Sequence, residues 1–511
     1  MRGAALLAVF VGGLIAGFLL LPLSVGLAIA ASAVLAMWGS GRLRKYPLKV
    51  GMANRIFTLS AYILFFSLGI MDVGLQPKSD FHPSEEKIYN VKGIVESRRT
   101  LTSCEIYSLN LISIGGKKER GELTLLSSAD AVFEPGEIIV FTSKISENPS
   151  TAFEKCQFTA RCFDSDKIEI IGKSRLPKFY FGQLREKIED GIGRVNLSEE
   201  TKYLLKALIV ADRSGIDRRR IDLLRNGGAI HVLAVSGMHI GIIASLLIVI
   251  TTPLVMVRGR KSRYLIIIAG VWLFVMLTGA AYSAIRAALM LTIASVGLIM
   301  ERKRDAFSAV CFATLMILVV DPYAIADVGL QLSFVSVAAL TLLATPLNPI
   351  DHRKHPLTFR LFTMVLTTLI ATAATWMLCG YHFGSAPVRF LPANLIILPV
   401  LPIYMLSAII YLILCSLGID VRPLGLAIDC GPEYLFQLLD KISSPSLAIE
   451  VGIITLSLWL LAMLLLGITF RLDANPVIIT FRTKAIRHKD IMITFSLTLA
   501  LVSLIMLSSH L

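Results

Sequence analysis

The residues best placed to do chemistry lie in one apolar stretch, Ala229 to Ile243, which carries His231, Ser236 and His239 close together. A hydroxyl beside imidazoles can build a nucleophile, a metal site or a row of hydrogen-bond partners lining a polar path. Catalysis is the weakest of the three. Ser236 and His239 are three apart on an expected helix, a spacing that seldom aligns hydroxyl and imidazole for proton transfer. No Gly-x-Ser-x-Gly elbow surrounds the serine, and the two histidines lack a clear third ligand. An intramembrane hydrolase therefore stands only as an alternative. The chain is expected not to be an enzyme, and no metal or cofactor is expected.

The path reading fits better. The stretch runs on in apolar residues through Ile250, as a membrane helix would. Polar groups at membrane depth are costly and usually face a bundle interior or water. His231, Val235 and His239 follow at i, i+4, i+8, with Ser236 near the same face, and Gly237 and Gly241 make a small-residue strip for close backbone approach. Other polar residues interrupt apolar runs farther along. Arg286, inside S-A-I-R-A-A-L-M, is too far from a loop to be an interfacial anchor. It has two readings, a salt bridge to a carboxylate such as Asp327 or a phosphate contact suited to the guanidinium fork. Asp327, Gln331 and Ser333 open one apolar run, and Asn394 opens another after Pro392. Helix caps and interhelical bonds of about 0.6 kcal/mol each are the plain reading for Asn394; Gln331 is left open between that and the path.

These positions must be held by membrane-spanning elements. The chain has 511 residues, 55% of them hydrophobic, with a mean hydropathy of +0.72. Repeated apolar runs of bilayer length exclude an ordinary soluble protein. Much of the net charge of +14 sits in short loops, as the positive-inside rule requires. Runs at 4–20 and 23–38 predict a helical hairpin whose first member is an uncleaved helix rather than a signal peptide. Arg42, Arg44, Lys45, Lys49 and Arg55 follow as a cytoplasmic loop, and a run at 57–75 leads outward. Arg258 to Arg263, Glu301 to Arg304 and His352 to His355 then end successive inward runs on the same side. Residues 418–450 break the alternation; either 422–440 crosses or one apolar element is re-entrant. No phosphate-binding Gly-x-x-x-x-Gly-Lys-Ser/Thr loop occurs, so the chain is not its own ATPase.

Residues 76–176 differ in kind. Lys87–Glu96, Glu105–Ile114, Gly121–Ser127, Glu137–Ile145, Gln157–Phe163 and Lys167–Ile171 are short segments, and Tyr107, Leu109 and Leu111 alternate with Ser108 and Asn110. Period two predicts half-buried strands, and so many in so short a span predict a small closed barrel, OB-like by size. The region holds 14 Lys/Arg against 15 Asp/Glu. That near-neutral balance is weak support for DNA binding, and structural or gating use stands beside it. Cys104, Cys156 and Cys162 fall here, without metal-ligand spacing, and predict one disulfide plus a free thiol. The fold class is thus a polytopic α-helical membrane protein of about 10–12 transmembrane helices with an inserted all-β, OB-like exoplasmic domain. It divides into N-terminal helices (1–75), the β domain (76–176), amphipathic basic linker helices (177–228) and a transmembrane channel domain (229–511).

In the linker, Arg213, Arg218, Arg219, Arg220 and Arg225 form the densest basic cluster. It either lies on anionic lipid or gathers a polyanion at the mouth of a path.

The stretch H-V-L-A-V-S-G-M-H-I-G resembles the signature of the ComEC-type competence proteins, bacterial inner-membrane channels for incoming DNA. Ala207–Ser214, Thr278–Met290, Asp321–Phe334 and Phe383–Pro399 resemble further family segments in the same order, covering roughly 200–400. The resemblance implies an OB-like domain before the signature, passage of single-stranded DNA inward during transformation, and the polyanion reading of the arginine cluster. It also implies partners: a periplasmic DNA receptor, a cytosolic ATPase motor and, since no His-x-His-x-Asp-His cluster occurs in the chain, a separate nuclease. The expected location is the bacterial inner membrane, N-terminus cytoplasmic. A secondary transporter for a small anionic solute is the rival reading, which internal repeats would favour; none is visible.

Overall fold

The computed structural model describes residues 2–19, parts of 29–33 and 60–71, and most of 87–473, with short gaps. The expected runs at 23–38 and 491–509 and most of the basic loops lie outside the described residues. The chain divides into two compact units, Met1–Ile188 with Cys311–Asp327, and Glu189–Val310 with Val328–Leu511.

The first unit contains the β region. Its strands are β1 (Ile88–Thr100), β2 (Glu105–Ile114), β3 (Lys117–Lys118), β4 (Glu122–Ser127), β5 (Glu137–Glu147), β6 (Gln157–Cys162) and β7 (Ile168–Lys173). They pair in the order β1-β2-β4-β6-β5, and β5 returns to pair with β1, which closes a barrel. The pairs are antiparallel except β4 with β6. Alternation sends Val91, Val95, Tyr107, Leu109, Leu111, Leu123, Leu125 and Phe158 inward, as the sequence pattern requires. Each contributes roughly 1.5–3 kcal/mol of burial. Tyr107 also accepts a hydrogen bond from the Phe133 N–H at 3.3 Å, so its polar tip is not left unpaired in the core. Cys162 is buried in this core; Cys104 and Cys156, the other members of the expected disulfide set, lie outside the described residues. In the same unit, α1 (Arg2–Leu19) packs against the helical stretch at 66–71, where Gly13 and Gly69 leave no room for a Cβ between the backbones. Also in this unit are most of α2 (Pro177–Arg194) and most of α8 (Ala306–Val320).

The second unit is helical. Its elements are α3 (Glu199–Val210), α4 (Arg218–Asn226), α5 (Gly237–Ile250), α6 (Thr252–Leu277), α7 (Tyr282–Ile299), α9 (Val328–Leu347), α10 (Pro356–Phe383), α11 (Phe390–Ser416), α12 (Arg422–Ile442) and α13 (Ile453–Asp473). The signature stretch is not the single helix from 229 that its apolar run suggests. It opens with a 3-10 turn at Ile230–Leu233, becomes extended at Ala234, and restarts at Gly237 behind Ser236. A serine followed by glycine competes for the backbone at this point and favours a cap over a continuous helix. Arg258, Arg260, Lys261 and Arg263, expected in a loop, fall within α6.

The broken stretch after 417 is resolved. It forms one helix, α12, which retraces α11 in the opposite direction. The Tyr411 hydroxyl donates to Asp420 at 3.1 Å, Gly425 lies against Tyr411, Tyr404 reaches Ile428, and Leu439 lies beside Gly227, itself against Ala393. The short strands β8 (Ser385–Ala386) and β9 (Leu447–Ala448) then pair, tying the chain after α12 to the segment just before α11. Among the described residues three helices are long and apolar enough to cross a membrane, α7, α10 and α11, fewer than the count expected. Apolar helices in α1, α5, α8, α9 and α13 are shorter.

Candidate functional site

The polar residues of the apolar runs lie near the N-terminal ends of α5, α7, α9 and α11. Ser236 is the N-cap of α5. Its side chain accepts from the Met238 N–H at 3.3 Å, and His239 closes a capping box by accepting the Ser236 N–H on Nδ1 at 3.4 Å. The hydroxyl and Nδ1 are 3.2 Å apart. The two side chains meet, with Ser236 extended and not yet helical. The contact serves the cap, worth about 1 kcal/mol. It uses Nδ1, so the imidazole proton is on Nε2, which is buried and has no partner among the described residues. His231 does not share this face. It is on the preceding 3-10 turn, exposed, and bonded to the Gly228 backbone.

Gly237 lies over Ala287 of α7, an ideal Cβ there standing 3.7 Å from the Ala287 Cβ, while Gly241 faces open space. The expected glycine strip is thus reduced to one contact. The Ser283 hydroxyl, on the first turn of α7, donates to the Val235 carbonyl at 2.8 Å and bridges α7 to the segment leading into α5. One turn on, Arg286 is 2% exposed. Its Nη2 donates to the Ser333 hydroxyl on the second turn of α9, and its Nε and Nη1 have no partner among the described residues. Of its two readings, the salt bridge to a carboxylate is not seen among the described residues; the partner is a neutral hydroxyl. Gln331, also at the start of α9, accepts at Oε1 from Nε2–H of His382 at 2.8 Å, at the last turn of α10. Asn394 is not a cap, since α11 begins at Phe390. It is buried within the first two turns, and its Oδ1 has no partner among the described residues.

The basic cluster is held by its own neighbours. Arg213 donates from Nε to the Leu233 carbonyl at 2.9 Å; Arg220 pairs with Glu200 and stacks over Phe436, 4.9 Å from the ring centre. Arg219 approaches Asp440 at 3.5 Å, Arg225 pairs with Asp222 at 3.0 Å, and Arg218 is exposed. From 199 to 226 seven Lys/Arg face five Asp/Glu, so the segment's field is far weaker than its arginine count suggests.

The family model for competence proteins matches residues 208–475, more than half of the chain. The chain belongs to the ComEC-type competence protein family. Over 203 residues it is 29% identical to ComE operon protein 3 of Bacillus subtilis (strain 168), a match covering 40% of this chain and 25% of that relative. The chain thus spans about a quarter of the length of the curated relative it matches. No solved structure matches it. The competence-family region begins within α3 and ends beyond α13, so it contains the starts of α5, α7, α9 and α11.

Two members of this cluster escaped sequence reasoning. His382 lies at the end of an apolar run, where a polar residue reads as an ordinary interfacial one, and Ser283 is a small residue that helices tolerate anywhere. Only the return of α10 to the start of α9, and of α7 to the lead-in of α5, gives them partners.

Proposed function

We propose that this competence-family protein is the inner-membrane channel that passes single-stranded DNA into the cytoplasm during natural transformation. The observation that carries the proposal is that His239, Arg286, Gln331 and Asn394 each lie near the N-terminal end of an apolar helix of the second unit, three of them holding buried polar atoms without partners among the described residues. Polar groups are kept at membrane depth where something polar must pass. The family assignment supplies the substrate class.

The helix directions support an inward path. We take α12 as a crossing beside α11, although it is less apolar than the three helices that meet the length and hydropathy of a span; the arginines of α6 and the C-terminal end of α13, with Arg471, then fall on one side, which the positive-inside rule makes cytoplasmic. The helix starts carrying the polar cluster then face outward, toward the source of the DNA. The barrel supports the OB-like reading, since a closed order of five main strands with one parallel pair resembles that Greek-key barrel. In this reading the chain itself breaks no bonds. A periplasmic receptor delivers the strand, a cytosolic ATPase draws it in, and a separate nuclease removes its complement. Contacts along the path are many and weak, because a passing ligand must also leave.

The test is deletion of the gene in its source bacterium, following both transformation frequency and entry of labelled DNA into the cytoplasm. Loss of transformation with DNA still accumulating outside the inner membrane supports the channel. Unchanged uptake in a competent strain refutes it and moves a transporter of small anionic solutes to first place.

A further inference from the structure

We propose that α3, α4 and one flank of α12 wall a water-filled inlet that enters the membrane beside α11 and reaches about its middle. The depth follows from register. α11 is 27 residues and about 40 Å long, against about 30 Å of hydrocarbon. Tyr404 stands 14 residues past Phe390, about 21 Å from the outward end. Wherever the excess length falls, that is about 10–20 Å below the hydrocarbon edge. α12 runs beside α11 in antiparallel register. Tyr404 meets Ile428, and 11 residues away on each helix Leu439 and Ala393 meet the same Gly227. Asp429 is therefore at the depth of Tyr404. Its Oδ1 accepts from the Ser198 N–H at 2.8 Å and from the Ser198 hydroxyl at 2.6 Å, which brings the start of α3 to that depth as well.

The start of α3 is not fit for lipid. Asn196 and Ser198 precede the helix and are exposed, and the Glu199 and Glu200 side chains are 69% and 65% exposed. Non-helical backbone at membrane depth occurs only where protein buries it or water bathes it. A glutamate is too short to carry its carboxylate from there to the headgroups. α12 divides in the same way. Arg422, Asp429, Glu433 and Asp440, spaced i, i+7, i+11, i+18, fall on one stripe, which Ser198 and Arg219 touch. Ala427, Cys430, Tyr434 and Leu438, spaced i, i+3, i+7, i+11, fall on the other exposed side, with Leu426 between the two. A helix with water on one flank and lipid on the other is less apolar than a span surrounded by lipid, as α12 is. The pairs Lys202–Glu199, Arg220–Glu200 and Arg219–Asp440 leave the wall close to neutral. Such a wall admits a hydrated chain of charges without binding it tightly, which passage requires. Taking single-stranded DNA as that chain rests on the DNA-passage reading; the water does not.

The test uses the full chain in right-side-out membrane vesicles, with a charged, membrane-impermeant thiol reagent outside. Modification is read peptide by peptide in Glu199→Cys, which keeps the native Cys430. Cys430 is exposed at the same depth on the lipid side, so it is the reference. Modification needs an ionised, accessible sulfur, so the inlet predicts labelling of Glu199→Cys at least about tenfold faster than of Cys430. Glu433→Cys, on the polar stripe, should behave alike and replaces Glu199→Cys if that variant does not reach the membrane. Two results overturn the inlet: neither position labels, or Cys430 labels as fast as the introduced thiol. A second arm follows DNA uptake in competent cells after the introduced thiol is capped with a bulky adduct. Fast labelling with uptake unaffected by the adduct keeps the water and removes the strand from the inlet. Fast labelling with uptake intact on deletion of the gene keeps the inlet and removes the DNA reading. Loss of uptake on deletion, with both thiols unlabelled, keeps the DNA reading and removes the inlet.

Discussion

Removing the Tyr404 hydroxyl tests how α12 is held against α11. Pro432 lies inside α12 and has no N–H, so the Ile428 carbonyl four residues earlier loses its helical partner. The Tyr404 hydroxyl donates to that carbonyl at 3.3 Å, across the helix pair. Tyr404→Phe leaves the carbonyl unpaired, which costs about 1–3 kcal/mol in a buried site. The bond is long, and bonds between membrane helices average about 0.6 kcal/mol, so about 1 kcal/mol is expected here. In a chain of this size that is a fall of about 1–2 °C in unfolding temperature. The decisive measurement is a double-mutant cycle with Pro432→Ala. Alanine restores the N–H, so the carbonyl regains a helical partner and Tyr404→Phe should then cost close to nothing. A loss of equal size in the wild-type and Pro432→Ala backgrounds, or no loss in either, refutes the account.

Ser236→Ala should lower stability by about 1 kcal/mol by removing the cap of α5, while Ser236→Asn should hold close to wild type in the same denaturation assay. Gly228→Ala should reduce folded yield, because Gly228 has φ 67° and a Cβ there would stand 2.8 Å from the Cβ of Phe390. If the arginine cluster contacts DNA, Arg218→Gln should lower the salt slope of binding by about 1, whereas Glu200→Gln, which frees Arg220 from its ion pair, should strengthen binding; unchanged affinity in both removes the cluster from the interface. The hydrogen bond from Lys173 to Glu134, with help from Glu137, raises the Lys173 ammonium above its ordinary value of 10.5. Its contribution is therefore complete below that value and lost as pH rises through the higher folded one, so the fall in stability between neutral and alkaline pH should be larger in wild type than in Lys173→Gln.

The barrel was legible because period two is decided locally: a strand buried on one face must alternate, and Tyr107, Leu109 and Leu111 do so whatever lies around them. The six segments read from alternation all became strands, and β3 adds only Lys117 and Lys118. The signature stretch misled because hydropathy is blind to caps. Ala229 to Ile250 is apolar enough for one helix, yet Ser236 and Gly237 start a new one, and that single break separates His231 from His239 and brings the serine hydroxyl to the imidazole. Asn394 misled in the other direction. Placed after Pro392 it reads as a cap, but α11 begins earlier at Phe390, and the side chain turns out to be interior. The course of α12 was beyond reach because its direction is set by contacts of high sequence separation, Leu439 with Gly227 among them.

What the chain keeps unpaired is more telling than what it pairs. The linker arginines are the most conspicuous charges in the sequence, and the fold gives Arg213, Arg219, Arg220 and Arg225 partners of their own. Arg286, His239 and Asn394 are far less conspicuous and sit on different helices, yet each is buried with a polar atom without a partner among the described residues. Leaving one such group unsatisfied can be an accident of packing. Three near the starts of apolar helices carry a combined cost that a leucine or alanine at each position would avoid. A bundle selected for stability alone would make those replacements, so the polar cluster is where this fold gives up stability for its activity.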